Sequence, residues 1–371
     1  MWQAEVRVDL AAIRHNVRRL REAAPGAELM AVVKADGYGH GMVPVARAAL
    51  AAGATWLGVC TVDEALRLRQ AGITAPVLAW LLAPGAPAAA AIAAEVHVSA
   101  ASAAQLEEFA AAAREAGRPA QVHLKLDTGL ARGGATPVEW PALLEAAGKA
   151  QAGGEVEVVG VWSHLIHPGG LHPDTDHQIA EFRHGLASAE RFGIRPRLRH
   201  LANSAGVLTR SDTHFELVRA GIALYGLSPV AGEDFGLRPA MTARGRVMLT
   251  KRVPAGQGVS YGHTYRTERE STLAVVPLGY GDGVPRAASS AGPVQLAGRR
   301  RAIAGRVCMD QFMIDCGDDP VAAGDVAVLF GPGDGGEPTA DDWAETVGTI
   351  NYEIVTRFGG SRVPRVYDHD E

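Results

Sequence analysis

The chain has 371 residues, of which 47% are hydrophobic and 21% charged, and its formal net charge is -5. This length exceeds the size at which single cores stop growing, so two domains are expected, and the negative charge argues against nucleic-acid binding. Three cysteines without metal spacing, an N-terminus without an apolar secretion segment and the absence of a clean 20-residue apolar stretch together predict a cytoplasmic protein outside the membrane.

The first two thirds of the chain alternate between helices and short apolar runs. Asp9 can cap a first helix over 10–24. The apolar runs predicted as strands are 29–34, 56–60, 77–80, 95–98, 122–126, 156–163, 197–201 and 215–218. Eight strands in βα alternation over about 220 residues predict a closed (β/α)8 barrel of the TIM type. An open doubly wound sheet is the alternative, because alternation alone does not exclude it.

The residue pattern changes past about residue 235, where Gly, Pro, Val and Thr recur among short apolar runs. Turns every 8–12 residues are typical of a mostly β domain. Two prolines and two glycines cluster in 228–239 and mark the boundary. We therefore expect a barrel over 1–235 and a β-rich domain over 236–371, and Val6 and Val8 are candidates for a strand added to the second domain.

Lys34 ends the first predicted strand and is followed at once by the turn-forming stretch 35–41. The chain holds only four lysines against 32 arginines, so a retained lysine is more readily explained by the chemistry of its amine than by its charge. That amine forms Schiff bases with carbonyl compounds or with pyridoxal phosphate. A strand-end lysine in solvent explains this stretch equally well when it is considered alone.

Functional residues of (β/α)8 barrels gather at the carboxyl ends of the strands. Polar residues follow four further predicted strands: Lys125 and Asp127, Ser163 and His164, Asn203 and Ser204, and Arg219. The loops after strands seven and eight commonly bind phosphate, and here the hydroxyl of Ser204 and the backbone at Gly221 can contact phosphate oxygens. A phosphorylated ligand opposite a lysine is the combination that pyridoxal phosphate needs.

Eight stretches, in order along nearly the whole chain, are similar to those of alanine racemases. They are Ala-Val-Val-Lys-Ala-Asp-Gly-Tyr-Gly-His-Gly at 31–41, Leu-Lys-Leu-Asp-Thr-Gly at 124–129, Ala-Asn-Ser-Ala-Gly at 202–206, Arg-Ala-Gly-Ile at 219–222, Val-Ser-Tyr-Gly at 259–262, Gly-Tyr-Gly-Asp-Gly at 279–283, Gly-Arg-Val-Cys-Met-Asp at 305–310 and Ile-Asn-Tyr-Glu at 350–353. The resemblance implies a homodimer with shared active sites that uses pyridoxal 5'-phosphate to interconvert L-alanine and D-alanine, supplying D-alanine for peptidoglycan.

The resemblance also implies roles for individual residues. Lys34 would hold the cofactor covalently and act as one base, and Tyr261 of the partner subunit would be the second base. Arg219 would lie against the pyridine nitrogen, with His164 behind it. The phosphate would be bound by Tyr38, Ser204, Gly221, Ile222 and Tyr352.

The implied substrate contacts come from both domains. Arg132 would approach the substrate carboxylate, and Lys125 matches a lysine that carries a carbamate in some members and would hold Arg132 in place. A buried ion pair of Lys125 with Asp127 is the alternative. Met309 would contact the substrate carboxylate through its backbone, and Asp310 would organise the mouth. The entrance would be narrowed by Tyr280, Arg286 and Ile350.

One loop departs from the family pattern. Many racemases have a short acidic turn after His164, whereas this chain has an apolar and histidine-containing loop over 165–173, which leaves the entrance shape and substrate preference open. His167, His172 and His177 are expected to be solvated surface residues. The alternatives are a racemase of broader or different specificity, an amino-acid decarboxylase of the same two-domain class, and a non-catalytic pyridoxal-phosphate-binding barrel protein. The decarboxylase would need an acidic cluster for a diamine side chain, and the binding protein would lack the β domain.

Overall fold

The computed structural model describes residues 2–167, 172–358 and 362–368. The chain divides into two compact units. The barrel unit comprises Arg14–Gly37 and Met42–Leu237, and the β unit comprises Met1–Ile13, Tyr38–Gly41 and Arg238–Glu371. None of the helices in the described part of the chain is both long and apolar enough to span a membrane.

The chain opens with β1 (Ala4–Asp9), a strand of the β unit. The barrel unit then supplies eight strands: β2 (Glu28–Val32), β3 (Trp56–Val59), β4 (Val77–Ala79), β5 (Val96–Ala100), β6 (Ala120–Lys125), β7 (Val156–Trp162), β8 (Leu198–His200) and β9 (Leu217–Ala220). All neighbours are parallel, in the order β8-β7-β6-β5-β4-β3-β2-β9. The Arg219 N–H donates to the Ala202 carbonyl at 3.1 Å, which joins β9 to the end of β8. The predicted (β/α)8 barrel is confirmed, and the open sheet is wrong.

Helices connect these strands and cover the sheet. They are α1 (Leu10–Ala23), the short left-handed segment α2 (Lys34–Tyr38), α3 (Met42–Ala51), α4 (Val62–Gln70), α5 (Ala88–Ala93), α6 (Ala103–Ala116), α7 (Trp140–Ala152), α8 (Pro173–Arg191) and α9 (Ser204–Thr209). Asp9 caps α1 as predicted, because its Oδ1 accepts the N–H groups of Ala11 and Ala12 at 2.7 and 3.0 Å. The barrel interior is packed with apolar side chains, among them Met30, Trp56, Leu78, Val159, Leu198 and Leu217.

The β unit is mostly strand, as predicted. Its later elements are β10 (Met241–Arg246), β11 (Leu249–Val253), β12 (Gly258–Val259), β13 (Tyr265–Arg266), β14 (Ser271–Val276), β15 (Pro293–Leu296), β16 (Arg299–Ala302), β17 (Phe312–Asp315), β18 (Val326–Phe330), α10 (Ala340–Val347), α11 (Asn351–Arg357) and β19 (Arg365–Asp368). A six-stranded sheet has the order β16-β15-β18-β10-β1-β19, beside a three-stranded sheet β11-β14-β17 and a pair β12-β13. β1 pairs antiparallel with β10 and parallel with β19, so the expected place of Val6 and Val8 is confirmed.

Candidate active site

Lys34 lies two residues beyond the end of β2, and the backbone that follows it adopts left-handed dihedral angles. Ala35, Asp36 and Gly37 all have left-handed dihedral angles, with φ of 52°, 51° and 65°, and Tyr38 continues them at 51°. The Gly37 N–H donates to the Val33 carbonyl at 2.9 Å and closes the turn. Three of these four residues carry side chains, and each such residue costs roughly 1–2 kcal/mol in this region. Other contacts must therefore hold the turn.

Glu64 supplies one of those contacts. Its Oε1 accepts the Ala35 N–H at 2.7 Å, while its Oε2 accepts the N–H groups of Cys60 and Thr61 at 2.9 and 3.2 Å. The Thr61 hydroxyl in turn accepts the Glu64 N–H, which completes a capping box at the start of α4. From the sequence alone, a glutamate in the first turn of a helix is sufficiently explained by the helix dipole. The link to the residue after Lys34 was missed, because nothing local in the sequence joins positions 29 apart.

Four cations and one neutral imidazole share the carboxyl end of the barrel. Burial, followed by the charges of Arg219, Arg132, Lys125 and Lys34, lowers the pKa of His164 to about 3. Burial and the same two arginines lower the pKa of Lys125 to about 8. The structure therefore brings together the barrel residues that the sequence proposed for one site, and this end of the barrel attracts anions.

Lys125 does not pair with Asp127. Its Nζ lies 4.4 Å from the ring centroid of Trp162, and Asp127 instead accepts the backbone N–H groups of Gly129 and Ala131 at 2.9 and 3.2 Å. The ion-pair alternative is therefore wrong. A desolvated lysine with a lowered pKa is the state that favours reaction of its amine.

Arg219 is a buried cation held by neutral acceptors. It is 4% exposed and donates to the carbonyls of Ser163 and Leu201 at 2.8 and 3.1 Å and to Nδ1 of His200 at 3.1 Å. Nδ1 of His164 lies 3.5 Å away, as the resemblance implied. Burial lowers the pKa of Arg219 to about 9, which is still above neutral pH, so the group stays charged. His200 was not proposed from the sequence, where it looks like any histidine at the end of an apolar run.

Ser204 fits a phosphate ligand. Its buried hydroxyl accepts the N–H groups of Gly221 and Ala223 at 2.9 and 3.3 Å, and within the described residues the structure shows no acceptor for its own proton. The neighbouring residue Ile222 is fully buried at the start of the same turn. β9 pairs directly with β2, with Met30 opposite Arg219, so these groups and Lys34 follow adjacent strands. A free donor of this kind suits a phosphate oxygen.

The remaining proposed residues belong to the β unit. The rings of Tyr38 and Tyr352 lie 6.3 Å apart, and burial raises the pKa of Tyr352 to about 12, so its phenol is a donor at neutral pH. Tyr261 is 71% exposed in a three-residue turn after Ser260. Large exposed side chains also include Tyr280, Met309 and Ile350.

Asp310 is tied to the loop after β14 by one arginine. Arg362 contacts Asp310 at 2.7 Å and Asp282 at 3.2 Å, and the backbone N–H groups of Tyr280 and Gly281 donate to the 308 and 309 carbonyls at 3.0 and 2.9 Å. Two of the sequence-proposed motifs therefore form one substructure. Arg286 lies in a separate short turn and is exposed.

The unusual loop is described only at its ends, since residues 168–171 lie outside the described residues. The His167 and His172 rings stack with centroids 3.6 Å apart, and Asp174 lies 3.0 Å from His167. These two histidines are therefore partly engaged with each other, whereas His177 is exposed as expected.

Comparison with known proteins gives a consistent result over the whole chain. The family profile for the alanine racemase N-terminal domain matches residues 8–229, and the profile for the C-terminal domain matches residues 240–367. An alanine racemase of Salinispora arenicola is 72% identical over 371 residues, covering 99% of both chains, and one of Thermobifida fusca is 57% identical over 368 residues, covering 98% of both.

Solved structures agree with this comparison. The crystal structure of alanine racemase from D-cycloserine-producing Streptomyces lavendulae is 53% identical, with a TM-score of 0.98 and coverage of 100% of this chain and 98% of that one. A Bacillus anthracis alanine racemase with bound L-Ala-P is 36% identical, with a TM-score of 0.90 and coverage of 100% and 96%. The decarboxylase and the non-catalytic binding protein are therefore not supported. This chain belongs to the alanine racemase family of pyridoxal-phosphate-dependent isomerases.

Proposed function

We propose that this enzyme racemises alanine by two-base proton transfer, with Lys34 and Tyr261 acting on opposite sides of the substrate Cα. The observation that carries the proposal is the arrangement of Arg219, a buried cation without a carboxylate partner among the described residues, on the strand adjacent to the one that leads to Lys34. A lysine and a persistent cation at one barrel mouth match the needs of a bound pyridoxal phosphate.

The residues that would hold the cofactor fit its chemical groups. Lys34 would bind it covalently, and the phosphate would be bound by Ser204, Gly221, Ile222, Tyr38 and Tyr352. When bound, pyridoxal phosphate withdraws electrons from the substrate and so makes the Cα proton removable. Arg219 would donate a hydrogen bond to the ring nitrogen but no proton, since its guanidinium remains charged. This limits the electron withdrawal and disfavours transamination, and His164 supports the guanidinium from behind.

Racemisation removes the Cα proton on one side and returns a proton on the other, so two bases are the economical solution. The Nζ of Lys34 would serve one side and the Oη of Tyr261 the other. Tyr261 is largely exposed in the single chain, which is consistent with its acting in a second copy. We therefore propose a homodimer in which the β-rich domain, residues 236–371, supplies Tyr261 to the barrel, residues 1–235, of its partner.

Substrate size and orientation would depend on the residues around the bases. Arg132 and the backbone of Met309 would bind the alanine carboxylate, with Arg132 held by a carbamate on Lys125. Asp310, fixed by Arg362, would organise the mouth. The entrance would be restricted by Tyr280, Arg286 and Ile350. The product D-alanine would serve peptidoglycan synthesis in the cytoplasm.

The test follows proton exchange separately for the two enantiomers, after chiral chromatography has screened the amino acids for racemisation. In D2O, Tyr261→Phe should lose most racemisation, and exchange of the Cα proton of L-alanine should fall much more than that of D-alanine, because only one side loses its base. Mass spectrometry of alanine recovered at early times measures both rates. Lys34→Ala is the matched control and should also prevent borohydride from fixing cofactor to the chain. Equal loss for both enantiomers in Tyr261→Phe would contradict the two-base assignment.

A further inference from the structure

Three histidines inside the barrel form a hydrogen-bonded row that ends on Arg219. Nε2 of His123 lies 3.3 Å from Nδ1 of His97, and Nδ1 of His123 lies 2.9 Å from Nε2 of His200. Nδ1 of His200 lies 3.1 Å from Nη1 of Arg219. His97 is near the amino end of β5 and half-buried, whereas His123 and His200 are fully buried. This histidine row therefore leads from the amino-terminal end of the barrel towards its functional end.

The barrel interior is shaped around the histidine row. A Cβ at Gly160, on the neighbouring strand β7, would lie 2.3 Å from Nδ1 of His123, so the ring needs a glycine beside it. The ring of Trp162 lies parallel to that of His200 with centroids 5.6 Å apart, and the ring of Trp56 meets His97 edge-on at 4.8 Å. These neighbours fix the orientation of each imidazole.

The direction of every hydrogen bond in the row follows from Arg219. A guanidinium only donates, so Nδ1 of His200 is an acceptor and carries no proton. A neutral His200 then has its proton on Nε2 and donates to Nδ1 of His123. By the same argument His123 donates from Nε2 to Nδ1 of His97, and all three rings share the Nε2–H tautomer.

A charged histidine does not fit this row. A second proton on any ring would place two N–H donors opposite each other, without an acceptor, at one of its hydrogen bonds. Burial acts in the same direction, since it lowers the pKa of His123 and His200 well below the ordinary range and that of His97 to about 4. The row is therefore neutral at physiological pH.

We propose that His123 and His97 are positioning residues for Arg219. They hold its guanidinium in place through His200, and all three imidazole rings are neutral and share one tautomer. The proposal rests on the proposed function, in which Arg219 lies against the ring nitrogen of the cofactor. A carboxylate in the place of His200 would neutralise the cation that this role requires. A neutral acceptor fixes the guanidinium and leaves its charge available.

Neutron diffraction from a perdeuterated crystal of the holoenzyme tests the tautomers directly. Deuterons are expected on Nε2 of His97, His123 and His200, with Nδ1 of each ring unlabelled. A deuteron on Nδ1 of His123 or His200 would overturn the proposal. This result does not depend on the reaction catalysed, so it separates a failure of the histidine row from a failure of the proposed function.

Kinetics of three variants test the positioning role. His123→Leu removes both hydrogen bonds of the central ring and should lower kcat for alanine at least about tenfold, comparable to the loss of a hydrogen-bond partner behind a metal ligand. KM should stay within about twofold, because Arg219 is not assigned to the substrate carboxylate. His123→Gln, whose amide both accepts and donates, should recover part of the loss.

Leu78→Ala is the matched control, since it opens a cavity in the same barrel interior without removing a hydrogen bond. It should lower the melting temperature while kcat stays close to that of the wild type. An equal loss of kcat in His123→Leu and Leu78→Ala would show a merely structural role and contradict the proposal. If His123→Leu does not fold, the neutron result decides the question.

Discussion

At the residue scale, the surroundings of a charged side chain determine the direction in which its pKa shifts, so two residues of the same type can differ. Lys125 and Lys149 illustrate this: burial and two arginines lower the pKa of Lys125 to about 8, whereas Glu145 raises the pKa of the exposed Lys149. Within the described residues the structure shows no ion pair for Lys125 or Arg132. A half-buried lysine beside exposed Arg132 and buried Arg219 favours an anion as its neighbour.

A carbamate on Lys125 would supply that anion. Only the neutral amine attacks CO2, and its fraction at neutral pH rises as the pKa falls towards 8, so Lys125 should react while Lys149 does not. In 13C-bicarbonate the wild type should show a carbamate resonance by 13C NMR that is absent from Lys125→Ala and retained in Lys149→Ala. Lys125→Ala should also weaken alanine binding through Arg132. A wild type without the resonance would contradict this assignment.

At the element scale, the left-handed turn after Lys34 shows what local pattern predicts and what it misses. The strand, the lysine at its end and the turn over 35–41 were predictable, because apolar periodicity and turn formers are local signals. The same holds for the eight barrel strands and the capped helices. Three residues with side chains in left-handed conformations were not predictable, since their strain is offset by Glu64, 29 residues away from Ala35. The histidine row was missed for the same reason.

Glu64 should therefore affect both stability and catalysis. Glu64→Ala releases the Ala35 N–H as well as the start of α4, whereas Thr61→Ala breaks only the helix cap. Thr61→Ala should lose about 1 kcal/mol of stability in urea unfolding, and Glu64→Ala should lose more, because Glu64 accepts three backbone N–H groups. Only Glu64→Ala should also lower kcat, because the turn that carries Lys34 loses a support. Equal kcat in the two variants would show that Glu64 acts as a helix cap alone.

At the scale of the whole molecule, the two units differ in what they leave exposed and in how they respond to acid. The β unit exposes the large side chains of Tyr261, Tyr280, Met309 and Ile350, which we propose to lie around an entrance shared by two subunits. We expect a second copy to cover this region, as in isologous dimers. The barrel unit holds four histidines, two buried and two half-buried, whose pKa values are lowered, and this links its stability to pH.

Four histidines of the barrel unit predict instability in mild acid. They are His97, His123, His164 and His200, and burial lowers the pKa of each in the folded state. The unfolded chain binds protons near pH 6.5, so the stability is complete above that pH and is lost as the pH falls towards the lower folded values. Each histidine contributes up to about 1.4 kcal/mol per pH unit. Urea unfolding between pH 7.5 and 4.5 measures the slope.

The slope below pH 6.5 should approach the uptake of about four protons on unfolding. His123→Gln should reduce it by about one proton, and the exposed-site variant His184→Gln should leave it unchanged. A free energy of unfolding that is flat across this range would contradict the neutral, buried state of these rings.

Lys34 and Tyr261 are proposed to act together in one site but to come from two subunits, and subunit mixing tests this arrangement most directly. Lys34→Ala and Tyr261→Phe are each expected to be nearly inactive alone. After joint unfolding and refolding in equal amounts, half of the dimers are mixed, and one of their two sites has both bases intact. The mixture should therefore show about a quarter of the wild-type racemase activity. A mixture as inactive as its two components would contradict it.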